Sequence, residues 1–140
     1  MTTDPNPSPE AAPAARPLWL SLLLWTCKLG AAGILGYAGY LKLTSNPGDI
    51  ELFETLGMEP FGRYLIGGLE CTAAGLILIR QSAVYGAFLG LGVMCGAIIG
   101  HLTVLGPAHI EGAILVAVLC LVILYVRRRD APFIGNMIDW

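Results

Sequence analysis

Charge is scarce in this chain. Charged residues make up 13% of its 140 positions, against about a quarter in a soluble globule, while 56% of residues are hydrophobic. That balance excludes an ordinary soluble domain and points to a membrane. Long basic blocks are missing too: the formal charge is −2, and nucleic-acid binding rests on clustered Lys and Arg that neutralise phosphates, so nucleic acid is not expected as a partner. The one dense run, Arg127-Arg128-Arg129, directly follows an apolar segment and reads as a topology signal. No C-x-x-C pair occurs. Cys27, Cys71, Cys95 and Cys120 fall one in each long apolar segment, which is not a disulfide framework and suits small residues packed between helices. Nor does the chain open with a basic n-region. Residues 1–17 carry five prolines and are expected to form a disordered tail rather than a signal peptide.

What is present is a series of apolar runs. Leu18 to Leu43 is interrupted only by Lys28 and Lys42; at about 1.5 Å per residue it exceeds a hydrocarbon core of about 30 Å, so it spans with tilt. Three more spans are expected, Phe61–Ile79, Ala83–Leu105 and Ala108–Val126. Their connections, Arg80-Gln81-Ser82 and Gly106-Pro107, are short enough to force antiparallel neighbours. Between the first two spans lies TSNPGDIELFETLGMEP. Asn46 as cap, Pro47 at the first helical position, Asp49 and Glu51 near the positive dipole end and Gly57 as terminator predict a short helix there. Its Ile50, Phe53 and Leu56 recur at helical spacing and face lipid or the bundle at the outer interface.

The expected fold is therefore all-α: an integral membrane antiparallel four-helix bundle with a short interfacial helix between helices 1 and 2. The chain divides into a tail (1–17), a four-span membrane domain (18–129) and a short C-terminal tail (130–140). Arg16, Arg80 and Arg127 to Arg129 fall on one side and Asp49, Glu51, Glu54 and Glu59 on the other, which puts both termini in the cytoplasm. In the third span Gly92, Gly96 and Gly100, with Gly86 and Gly90 before them, form small-residue spacings that permit close helix approach, within the chain or to a second copy.

Ionisable residues inside such spans are costly and call for partners. Lys28 lies about 15 Å from the inner end of its span and Glu70 about 13 Å from the outer end of the next, by helical rise, so both sit near mid-membrane. Lys28, Ala32, Leu35, Gly39 and Lys42 share one helix face; Arg63, Gly67, Glu70 and Ala74 share another. Glu70 therefore has three candidate charge partners, Lys28, Lys42 and Arg63, and the pattern does not choose among them. His101 near the outer end of the third span, and His109 and Glu111 at the start of the fourth, add a polar vestibule. The His-x-Glu pair would not face one point on a helix and no cysteine supplements it, so no protein-bound metal is expected. His101 suits either a proton relay beside Lys42 and Glu111 or a structural bond to a nearby carbonyl. Tyr37 and Tyr40 approach this outer cluster, where aromatic rings anchor at the interface or stack on a ring ligand.

The order of motifs is specific: Gly39-Tyr40-Leu41-Lys42-Leu43-Thr44, Asn46-Pro47 leading to Phe53, Leu56-Gly57-Met58-Glu59-Pro60, Tyr64 through Glu70, Met94 through Leu102 with His101, and a basic exit at Arg127-Arg128. Over roughly residues 28–129 the chain resembles the DoxX-like family of small four-helix membrane proteins. The resemblance implies a bacterial inner (cytoplasmic) membrane protein in which Lys42, Glu70 and His101 match the polar motif positions. Relatives include a subunit of an archaeal thiosulfate:quinone oxidoreductase, and many members have no established activity. No iron–sulfur, flavin or haem motif is present, and the sequence does not show catalysis. Two readings stay open. In one, the chain is a redox-associated subunit whose Lys42, Glu70, His101 and Glu111 line a pocket for a quinone-like ligand and its protons. In the other it is a non-enzymatic scaffold or assembly partner, in a homo-oligomer or larger complex, whose buried charges fix helix packing.

Overall fold

In the computed structural model, residues 17–108 and 110–128 are described, and every element among them is helical. Five α-helices follow one another: α1 (Leu18–Leu43), α2 (Pro47–Thr55), α3 (Phe61–Leu78), α4 (Ala83–Gly100) and α5 (Ile110–Val126). A π-helical turn, His101–Leu105, extends α4, and Gly106 at φ +81° ends it. The expected tail over 1–17, apart from Pro17, lies outside the described residues, as do His109, Arg129 and the stretch 130–140.

Two helices, Leu18–Leu43 and Ala83–Leu105, are long and apolar enough to cross a membrane by length and composition. The periodicity that makes them pack is visible in what each face meets. On α1 the stripe Lys28, Ala32, Leu35 and Gly39 is buried, and so are Arg63, Gly67, Glu70 and Ala74 on α3. These two stripes face each other in antiparallel register, for Lys28 reaches the carbonyl of Leu78 while Gly39 lies against Cys71 and Gly67. The crossing needs glycine on both sides. A methyl group at Gly39 would fall 2.8 Å from the Gly67 carbonyl, and one at Gly67 3.1 Å from the Gly39 carbonyl.

The α3–α4 crossing is as tight. A methyl at Gly86 would sit 2.6 Å from the backbone nitrogen of Ile77 and 2.9 Å from the Ala73 oxygen. One turn on, Gly90 faces Leu35 and Cys120, so it closes the centre where α1, α4 and α5 meet. Leu35, Ile77, Val116, Cys120 and Ile123 fill that centre and are almost completely buried. At the far end of α5, Arg127 donates to the Arg80 carbonyl, which ties the end of α5 to the α3–α4 turn.

Gly92 and Gly96 behave differently. A methyl at either would meet nothing within 4 Å, and one at Gly100 would make only an ordinary 3.7 Å contact with Leu56. Of the α4 glycines, Gly86 and Gly90 alone pack closely against the described residues; the stripe from Gly92 onward borders open space.

The short helix α2 starts at Pro47, as Pro at the first helical position favours. Asn46 does not cap with its side-chain oxygen. Its carbonyl accepts from the Asp49 and Ile50 amides, and its side-chain amide donates to Asp49 Oδ2 at 3.1 Å. Gly57, at φ +67°, ends the helix: its amide bonds the Glu54 carbonyl and the Met58 amide bonds that of Phe53, the pair of bonds that defines a Schellman motif. The apolar side of α2 turns inward, with Phe53 buried.

Candidate functional site

The folded-in apolar side of α2 does not seal against the other helices. Between α2, α3 and α4 lies a cavity of about 600 Å³, within the range of small-molecule sites. Phe53 from α2 and Leu56 directly after it, Ile66 and Leu69 from α3, and Phe88 and Val93 from α4 give apolar walls. Gly92, Gly96 and Gly100 line the α4 side, which explains their lack of close neighbours: side-chain-less positions keep the volume open. No residue of α5 lines it.

Its polar groups are Lys42, Asp49, Glu70 and His101. Lys42 Nζ stands 3.0 Å from Glu70 Oε2 and 3.8 Å from Asp49 Oδ1, so one ammonium bridges two carboxylates from different helices. The glycine crossing of α1 and α3 produces this pair: Lys42 Cβ lies 2.9 Å from where a methyl at Gly67 would be, and Glu70 follows within a turn. Glu70 is only 3% exposed. Glu70 Oε2 is enclosed, and its charge is met by the Lys42 ammonium at 3.0 Å.

The other two candidate partners of Glu70 are engaged elsewhere. Lys28 donates to the Leu78 carbonyl at 3.1 Å and lies 4.4 Å over the Trp25 ring. Arg63 grips Glu59, donating from Nε to Oε2 at 2.9 Å and from Nη2 to Oε1 at 2.8 Å. Its Nη1 donates to the Lys42 carbonyl and to Ser45 Oγ, and Ser45 is in turn hydrogen-bonded to the Tyr64 hydroxyl. Arg63 thus shares the Lys42 carbonyl with the Ser45 amide at the end of α1 and fixes the backbone from which Lys42 projects. It acts on the site through Lys42 rather than by touching Glu70.

His101 lines the cavity, and its Nδ1 is 2.8 Å from the Ala97 carbonyl. A carbonyl only accepts, so Nδ1 carries the proton; in the neutral ring Nε2 is then the acceptor. Of the two sequence-level readings of His101, the structural bond to a nearby carbonyl is present. Glu111 is not brought to the cavity: it is exposed in the first turn of α5. Tyr37 and Tyr40 are exposed on α1 and do not line the cavity. His109 lies outside the described residues, and among those residues no three His, Cys, Asp or Glu side chains converge as a metal site would need. All four cysteines are free thiols.

Sequence reasoning missed Asp49 as a site residue. On the chain it is one of four acids between Asp49 and Glu59, and only the path of α2 back over α3 and α4 singles it out. Sequence reasoning also missed the Glu59–Arg63 pair, because Glu59 precedes the helix that carries Arg63. Chemically the site offers a cation held between two anions, an imidazole, and a large apolar volume beside them, which suits an amphipathic molecule whose polar end exchanges protons or hydrogen bonds. Comparison with protein-family profiles, with curated proteins and with solved structures gave no match for this chain.

Proposed function

We propose that the chain is an integral membrane protein of four spans that binds a quinone-like lipophilic ligand in the α2–α3–α4 cavity, as a redox-associated subunit of a membrane complex. The observation that carries this reading is the cavity itself, about 600 Å³ of mostly apolar volume with the Lys42–Glu70 ion pair in its wall. Quinone chemistry needs proton donors and acceptors beside the carbonyls, and Lys42, Glu70 and His101 supply that set.

The membrane assignment draws on an inverted distribution of polarity. Large apolar residues such as Leu18, Leu22, Leu29, Phe61, Phe88 and Leu102 are exposed on the chain's surface, whereas Lys28, Arg63 and Glu70 are buried. Lipid is the solvent in which that arrangement is stable, since intramembrane charges face the protein interior. α3, with its two charges turned inward, and α5, with 17 residues, are short but within the spanning range. Arg80 and Arg127 meet at one end and α2 brings Asp49, Glu51 and Glu54 to the other, which favours cytoplasmic termini. The DoxX-like motif order supports a bacterial inner membrane and a complex with partner subunits.

In lipid nanodiscs a short-tailed benzoquinone is expected to bind saturably at one site per chain, with affinity reduced about tenfold or more in Glu70→Gln, which removes the charge that holds the Lys42 ammonium, the donor a quinone carbonyl can accept from, at the cavity. Quinone-linked electron transfer in native membranes should fall in the same variant. Absence of binding, together with unchanged electron transfer in Glu70→Gln, sinks the proposal. The second reading, a scaffold in which buried charges set helix register, is favoured by the Gly39–Gly67 crossing next to the ion pair. A Glu70→Leu protein that assembles normally yet loses a specific chemical activity would rule it out.

A further inference from the structure

At the end of the bundle away from α2 the charge balance is reversed. Lys28 is 3% exposed; it bonds the Leu78 carbonyl, lies against the Trp25 ring and has no carboxylate partner among the described residues. Arg80 and Arg127 stand within electrostatic reach of its ammonium, and Arg127 donates to the Arg80 carbonyl. The described acids all lie elsewhere: Asp49, Glu51, Glu54 and Glu59 in and after α2, Glu70 on Lys42, and Glu111 at the start of α5. A buried cation met only by a carbonyl and a ring keeps its charge, the arginines add to it, and in a low-dielectric setting such a field attracts an anion.

Arg80 is placed to receive one. Its side chain is exposed and has no hydrogen-bond or ion-pair partner among the described residues, while its backbone carbonyl serves the fold. A guanidinium matches phosphate oxygens in pairs. The exposed side chains around it are apolar: Leu22, Trp25 and Leu29 recur on one side of α1, and Leu78 and Ile79 stand at the end of α3. Lys28 joins these two patches, since it touches the Trp25 ring and bonds the Leu78 carbonyl. A free phosphate gains nothing from them, whereas a phospholipid has acyl chains to lay there.

Resting on the membrane assignment above and not on the cavity, we propose that this end of the bundle is a site for an anionic phospholipid. Its phosphate is taken by Arg80 in the field of Lys28 and Arg127, and an acyl chain lies along Leu22, Trp25 and Leu29.

The test assembles the full chain in nanodiscs of equal dioleoyl phosphatidylglycerol and dioleoyl phosphatidylcholine and counts the lipids that stay on it by native mass spectrometry. Phosphatidylglycerol should be retained over phosphatidylcholine by at least about tenfold, and Arg80→Gln should cut that preference about fivefold, the effect of one arginine at a lipid surface. Arg80→Lys should keep most of it. Helix content by circular dichroism should be the same in both variants and wild type, because the Arg80 side chain holds nothing in the described fold. Millimolar inorganic phosphate should leave the retained lipid in place. Equal retention of the two lipids, or a preference unchanged in Arg80→Gln, overturns the lipid site and leaves the α2–α3–α4 cavity untouched. Displacement by inorganic phosphate overturns the lipid as occupant in favour of a free anion. A folded chain that does not enter nanodiscs overturns the membrane assignment and this inference with it.

Discussion

Gly86→Ala is expected to lower the stability of the protein by about 2–3 kcal/mol, while Gly92→Ala, less than two turns further along the same helix, changes it little or raises it by up to about 1 kcal/mol. The contrast follows from what each new methyl meets. At Gly86 it would lie 2.6 Å from a backbone nitrogen and 2.9 Å from a backbone oxygen of α3. Backbone cannot rotate aside as a side chain can, so α3 and α4 must separate, and the buried layer of Ala73, Ile77 and Ala87 opens with them. At Gly92 the methyl enters the cavity untouched, and only the better helix propensity of alanine is felt. Reversible unfolding of the detergent-solubilised protein by SDS titration measures both. Equal losses in the two variants would show that α4 packs against something on its Gly92 face and would remove the cavity from the argument.

The second large effect belongs to the Lys42–Glu70 pair, and it is asymmetric. Lys42→Met strands Glu70, which is buried and has no other charged partner within reach among the described residues; the expected cost is about 3–5 kcal/mol, as for a buried pair broken from one side. Glu70→Leu costs less, about 1–2 kcal/mol, because Lys42 keeps Asp49 at 3.8 Å and its long stem can carry the ammonium away from the apolar site. Lys42→Met combined with Glu70→Leu should be more stable than Lys42→Met alone, since replacing both members of a buried pair by apolar residues of similar size is close to neutral. The same SDS titrations, run as a double-mutant cycle, decide it. If Glu70→Leu proves the more damaging single change, Glu70 is holding together more than this pair.

How much of this was visible before folding varies element by element. α1 was legible to the residue, because an apolar run with two lysines on one face has one way to bury them. α2 was legible through Pro47 and Gly57, whose backbone preferences act locally. The π-helical turn at His101–Leu105 was not, for nothing in His-Leu-Thr-Val-Leu distinguishes it from a continuing α-helix.

The site was legible as a set of inward-facing charges but not as a set of pairs. Depth arithmetic put Lys28 and Glu70 level, whereas the register of α1 on α3 is set by where Gly39 and Gly67 let the backbones touch, and that brings Lys42 to Glu70. Likewise, spacing alone makes Gly92, Gly96 and Gly100 indistinguishable from a packing seam. Whether a small-residue stripe meets a helix or a void depends on a neighbour, here α2, whose position the stripe itself does not encode. Glu111 has no such neighbour and stays on the surface.

The central claim is that the space bordered by Gly92, Gly96 and Glu70 holds a lipophilic molecule. Native mass spectrometry of the protein released from its own membranes in gentle detergent, wild type beside Gly96→Leu, tests it most directly. One bound lipophilic molecule per wild-type chain, missing from Gly96→Leu, is the expected result. Wild type released without a small molecule, as a homodimer that Gly96→Leu dissociates, would contradict it and assign the glycine face to a second copy of the chain.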